Sequence, residues 1–188
     1  MKFRNLSMLT VFMSTLALSS ANAAETVIGG GWAQHCYEGA EYGLSPHEYI
    51  PICNMALQDV LSSGDRAATL VNRGILKLAK LDANGSYADF NHGLTIRADM
   101  AEGYVNRGAS LILLRRYDEA IAQINKGIAM NAKRPEVAYY DRGMANEGLG
   151  NIQAAYEDYK QAEALDPTFL EPAKELKRFK VTTKPAGT

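Results

Sequence analysis

The chain has few of the residues that usually carry chemistry. Its 188 residues include 2 cysteines, 3 histidines and 1 tryptophan. No Gly-x-Ser-x-Gly elbow, phosphate-cradling glycine loop or His-Glu-x-x-His helix occurs. Gly29-Gly30-Gly31 is not followed by the strand and helix of a dinucleotide turn, and His35, His47 and His92 are scattered. These absences argue against an enzyme, and no cofactor or metal is expected. Charge of either sign is not in excess either, with 20 Lys and Arg against 21 Asp and Glu. Phosphate binding needs a basic footprint, so nucleic acid and anionic membrane surfaces are set aside as partners. A spanning helix needs about 20 apolar residues, and no such run is present.

A shorter apolar run does occur. Lys2 and Arg4 precede Leu6 to Leu18, which is broken by Ser7, Thr10, Ser14 and Thr15, and Ala21-Asn22-Ala23 follows as a small-x-small site. This reads as a secretory signal peptide cleaved after Ala23, with an uncleaved anchor as the alternative. The mature chain would carry 18 positive and 21 negative side chains, since the segment holds two of the 20 cations and no acid. It is expected in the periplasm or secreted, with no membrane insertion after cleavage.

Export gives the two cysteines an oxidising compartment, where a lone pair is read as a disulfide. Gly43-Leu44-Ser45-Pro46 breaks two helices, with Ser45 as cap and Pro46 in first position. Cys36 and Cys53 lie equally far from that break, so closing the hairpin brings them level. Cys36, Gly39, Ala40 and Gly43 form a stripe of small residues that lets the partner helix approach. A zinc site from His35, Cys36, His47 and Cys53 is the competing reading, but its spacing fits no standard pattern.

The strongest signal is a repeat. Val71-Asn72-Arg73-Gly74, Val105-Asn106-Arg107-Gly108 and Tyr140-Asp141-Arg142-Gly143 place their glycines 34 and then 35 residues apart. In the same register stand Ser86, Ala120 and Ala155, then Phe90, Ile124 and Tyr159, then Gly93, Gly127 and Ala162. Such a period means stacked units that cannot bury their apolar faces alone. The pattern resembles the tetratricopeptide repeat family from about Ala67 to Pro167, with Leu165-Asp166-Pro167 closing the last unit and Ala83-Asn84-Gly85-Ser86 as a divergent turn in the first.

The fold class this implies is all-α, a short right-handed solenoid of antiparallel helix hairpins. Its parts are a signal peptide (1–23), a flexible leader (24–33), a disulfide-linked hairpin (34–66), three repeats (67–100, 101–135 and 136–167), a cap helix (168–180) and a disordered tail (181–188). Phe169, Pro172, Ala173, Leu176 and Phe179 form the apolar stripe of the cap. Each repeated arginine precedes Asp89, Gln123 or Asp158 by sixteen residues, a spacing suited to a bond across its hairpin; an anion-binding ladder is the other reading.

By the same resemblance, the first helices of the units line an inner surface. Its positions here would be Val71, Ile75, Leu78, Val105, Ala109, Ile112, Tyr140, Met144 and Glu147. Members that clamp a C-terminal carboxylate use Lys, Asn and Arg at several of these places, where this chain has Val71, Ile75 and Ala109. The surface would suit an amphipathic helix or an extended apolar peptide, making the chain a protein-binding adaptor. Alternatively these side chains pack on one another, or on the chain's own leader or cap. Self-association is the rival function.

Overall fold

The computed structural model describes residues 6–8, 24–28 and 30–181. Within these, helices α1 (Trp32–Glu41) and α2 (Pro46–Ala56) form a first hairpin. Three more follow: α3 (Ser63–Ala79) with α4 (Ala83–Ile96), α5 (Ala101–Leu113) with α6 (Tyr117–Ala129), and α7 (Pro135–Gly148) with α8 (Ile152–Leu165). A short helix α9 (Leu170–Leu176) packs on α8. Strands β1 (Leu6–Met8) and β2 (Phe179–Val181) pair antiparallel, Leu6 opposite Val181. The first helices of the repeats, α3, α5 and α7, pack side by side.

The hairpins close tightly because glycine stands at each crossing. A Cβ on Gly74, Gly108 or Gly143 would lie 2.6, 2.5 and 2.7 Å from Phe90, Ile124 and Tyr159, the large residues expected sixteen positions on. Seven residues after each glycine the chain enters the left-handed region, at Leu81 (φ 61°), Arg115 (φ 59°) and Gly150 (φ 77°). The next amide then reaches back into the helix, from Asp82 to the Lys77 carbonyl at 2.9 Å, Arg116 to Leu111 at 2.9 Å and Asn151 to Asn146 at 2.8 Å. The first unit therefore turns where the others do. Ala83-Asn84-Gly85-Ser86, read above as its turn, is the first turn of α4. Asp82 caps that turn, accepting the Gly85 amide at 2.9 Å, and so overrides the Asn-Gly turn signal.

In the first hairpin Cys36 and Cys53 are joined, with Cα atoms 4.8 Å apart and both residues fully buried. The bond leaves the zinc reading without its thiolates. Gly39 is required here, since a Cβ on it would lie 2.3 Å from Tyr49. Ser45 precedes α2 as expected, yet its side chain makes no cap bond; its carbonyl accepts the Glu48 and Tyr49 amides instead.

Two terminal expectations change. The stripe from Phe169 to Phe179 is not one helix, because α9 ends at Leu176 and the chain turns where Arg178 is held by Glu147 and Glu175. Phe169 meets Tyr140 edge-on at 5.2 Å, and Phe179 packs on Tyr156 and Tyr159 at 5.6 and 5.9 Å. The leader, expected to be flexible, is seated where it is described, with Ala24, Glu25 and Val27 at 4, 6 and 4% exposure. Its lack of periodicity says nothing against docking, because a segment this short is held by a few main-chain bonds and three buried side chains. Most of the signal segment, and the tail beyond Val181, lie outside the described residues.

Candidate functional site

Seven of the nine inner-surface residues, Val71, Ile75, Leu78, Val105, Ala109, Ile112 and Tyr140, are at most 3% exposed. Val71, Ile75, Leu78 and Ala109 share one cluster with Ala24 of the leader, Val105 and Ile112 belong to a second, and Tyr140 to a third. They are core in this structure and do not form an open surface. Met144 is partly buried between the second and third clusters. Glu147, also partly buried, accepts the Tyr159 hydroxyl at 3.0 Å and pairs with Arg178. Burial raises the Tyr159 and Tyr140 hydroxyls well above the usual phenol range, and neighbouring carboxylates add to the effect.

One position of the repeated motif has a role that its spacing does not announce. Asn72, Asn106 and Asp141 stand just before the repeated arginines, at equivalent places on α3, α5 and α7, and are 0, 1 and 1% exposed. Asn72 grips the leader. Its Oδ1 accepts the Glu25 amide at 2.8 Å, and its Nδ2 donates to the Glu25 carbonyl at 2.8 Å. The side chain thus bonds an extended main chain on both sides of one residue, as a neighbouring strand would. The Glu25 carboxylate accepts from Arg97 at 2.8 Å, and the Ile28 amide donates to Asp65 at 2.9 Å. Burial raises the Glu25 carboxyl, Arg97 pulls it down, and nearby Glu102 pushes it up again.

Asn106 repeats the amide of Asn72 one unit on, but both its side-chain polar atoms are buried without a partner. Asp141 likewise has neither carboxylate oxygen bonded. Burial alone raises its pKa well above the usual carboxylate range. The native state therefore holds this proton at pH values where the unfolded chain has released it, so stability falls as pH rises from about 4 toward the native pKa. The loss is about 1.4 kcal/mol per unit of separation between native and unfolded pKa values. We expect Asp141→Asn to flatten the part of a urea-denaturation profile that lies above the usual carboxylate range. A profile identical to the parent's would refute the assignment.

The arginines make the bonds across their own hairpins. Arg73 reaches Asp89 at 2.8 and 2.6 Å, Arg107 reaches Gln123, and Arg142 reaches Asp158 at 2.6 to 3.2 Å. Lys77 joins Asp89 at 2.7 Å, and Asn146 joins Asp158 at 3.0 Å. Each arginine also reaches the preceding hairpin, bonding Asn54 at 2.8 Å, Asn91 at 3.0 Å and Asn125 at 2.7 Å. These asparagines follow Cys53, Phe90 and Ile124 directly, a regularity visible in the sequence once the contact is known. Each guanidinium is thus bonded at both of its terminal nitrogens by its own and the preceding hairpin, which accounts for the three arginines without an anion.

Among the described residues, no group of three or more His, Cys, Asp or Glu side chains is placed to hold a metal, and no helix is long and apolar enough to cross a membrane. Residues 101–134 and 137–169 match the tetratricopeptide repeat model. A curated relative, the peptidyl-prolyl cis-trans isomerase FKBP42 of Arabidopsis thaliana, is 38% identical over 64 residues. That stretch is 34% of this chain and spans only 17% of the relative. Among solved structures, MamA from Desulfovibrio magneticus superposes with a TM-score of 0.62 at 21% identity, over 77% of this chain and 79% of that one. The first such domain of Spaghetti (RPAP3), bound to an HSP90 peptide, gives 0.56 at 22% identity, over 61% and 90%. The fold is an all-α, tetratricopeptide-like solenoid, and two of its units match the repeat's model.

Proposed function

We propose that this array of tetratricopeptide repeats is an exported adaptor, periplasmic or secreted, that holds a partner protein or peptide against the face formed by α3, α5 and α7. The observation that supports this is the two-bond grip of Asn72 on the main chain at Glu25, because it is sequence-independent capture of an extended segment. A solved neighbour carries an HSP90 peptide, which supports a peptide or protein as the class of partner. The signal segment supports export, and a disulfide is in keeping with an oxidising compartment. Fold alone does not assign the partner.

Tyr140 is too buried to report on a partner, whereas Met144 is partly exposed and close by. A photo-crosslinker at Met144 in the exporting cell should give a covalent adduct with one foreign protein. The same group at Lys160, exposed on α8, should not. N-terminal sequencing of the exported protein should begin at Ala24. Self-adducts alone would favour the self-association reading, and equal labelling from Met144 and Lys160 would overturn the adaptor reading.

A further inference from the structure

Residues 24–28 combine contacts that depend on side chains with contacts that do not. The main-chain bonds to Asn72 and Asp65 would serve any extended residue. Selectivity lies elsewhere. Ala24 is buried in the cluster that includes Tyr104 and Ala109, where a larger side chain would have to displace core atoms. Glu25 places its carboxylate on Arg97. Val27 fills an apolar pocket made by Ala33, Ala56 and Ala68. Thr26 and Ile28 point outward and are unread. The segment is thus recognised as small, acidic, any residue, then branched aliphatic.

We propose that this groove is a docking site for an extended partner segment of that pattern, and that residues 24–28 are its resident occupant, displaced when the partner binds. The inference deepens the adaptor reading and rests on it. Two further observations support it. The resident leads into α1 through Gly30 and Gly31, where an added Cβ would meet no atom beyond the chain neighbours within 4 Å, so these two glycines are unpacked on that side. The segment also runs from Asp65 at the start of α3, past Asn72, toward α5, where Asn106 waits with both amide atoms unpartnered. A partner that continues in this direction meets a second two-bond grip that the resident does not use.

The test uses the full chain and an acetylated, dye-labelled hexapeptide Ala-Glu-Thr-Val-Ile-Gly, the sequence of residues 24–29. A tethered resident competes at an effective concentration of about millimolar, so the unaltered protein should take up little probe. Val27→Asp, which puts a carboxylate into the apolar pocket, should free the groove and increase probe affinity at least tenfold by fluorescence anisotropy. Adding Asn72→Ala should abolish that gain, and a control peptide with lysine in place of glutamate should bind less. Equal uptake by the parent and Val27→Asp, with both melting normally, would overturn the proposal.

If Val27→Asp does not fold, hydrogen exchange on the parent decides. Displacement requires the Glu25 and Ile28 amides to exchange through local opening, faster than the α5 amides. Exchange only on global unfolding would overturn it. The two failures are distinguishable: a foreign adduct at Met144 without probe uptake sinks the displacement proposal and leaves the adaptor reading, while probe uptake without any adduct sinks the adaptor reading and with it the partner's part of this proposal.

Discussion

Replacing Asp158 by lysine should cost about 3 to 5 kcal/mol, the range for breaking a buried ion pair by removing one partner. The Asp158 side chain is 8% exposed and its Arg142 partner 24%. The carboxylate also accepts from Asn146, and its hydrogen bond holds the Arg142 pKa above its ordinary value. A lysine would leave two cations facing each other inside a hairpin. For a chain of this size the melting temperature should fall by roughly 10 °C, measured by circular dichroism. Glu157→Lys, the same charge change on the exposed neighbour, should shift stability by under about 0.5 kcal/mol. Asp158→Gln copies the second unit, where Gln123 serves Arg107, and should lose only about 1 kcal/mol. Equal melting of Asp158→Lys and the parent would remove the pairing from the account of stability.

The disulfide is the second large term. Cys36 and Cys53 are 17 residues apart, and closing a loop of this size is worth about 3 kcal/mol in the chain-entropy model. Both positions are fully buried, so alanine at each is the suitable replacement, since serine would bury two hydroxyls. The double variant should lose about that amount in urea denaturation, and reductant should bring the parent down to it while leaving the variant unmoved. Identical curves for the parent with and without reductant would contradict a stabilising bridge. The loss should also reach the leader, because Ala33 and Ala56 of the bridged hairpin wall the Val27 pocket.

The repeat made the hairpins legible, because Gly74, Gly108 and Gly143 must each sit under a large residue sixteen positions on, and such a constraint leaves a period. The bridge was legible for a similar reason: Cys36 and Cys53 are placed symmetrically about the break at Gly43 to Pro46. The arginines' partners across the hairpin could also be counted out, whereas Asn54, Asn91 and Asn125 belong to the neighbouring unit and appear only when units are stacked. The inner surface was harder. Val71, Ile75 and Tyr140 look the same in sequence whether a groove is open or filled, and what covers part of it is a segment of five residues, 24–28, too short to show a period. Asn72 and Asn106 carried the missing signal, as identical polar residues at one register in otherwise apolar helices.

The arginine–asparagine bonds between neighbouring hairpins all run one way. Arg73, Arg107 and Arg142 each reach back to an asparagine nearer the N-terminus, and none reaches forward. A chain that emerges N-terminus first therefore presents each of these asparagines before the arginine that bonds it. The series also has a stop. After Tyr159, at the place matching Asn54, Asn91 and Asn125, stands Lys160, whose ammonium lies over the Tyr156 ring 5.7 Å from its centre. A further unit of the same design would bring its guanidinium to a cation here, so Lys160 would not serve it as the three asparagines serve theirs.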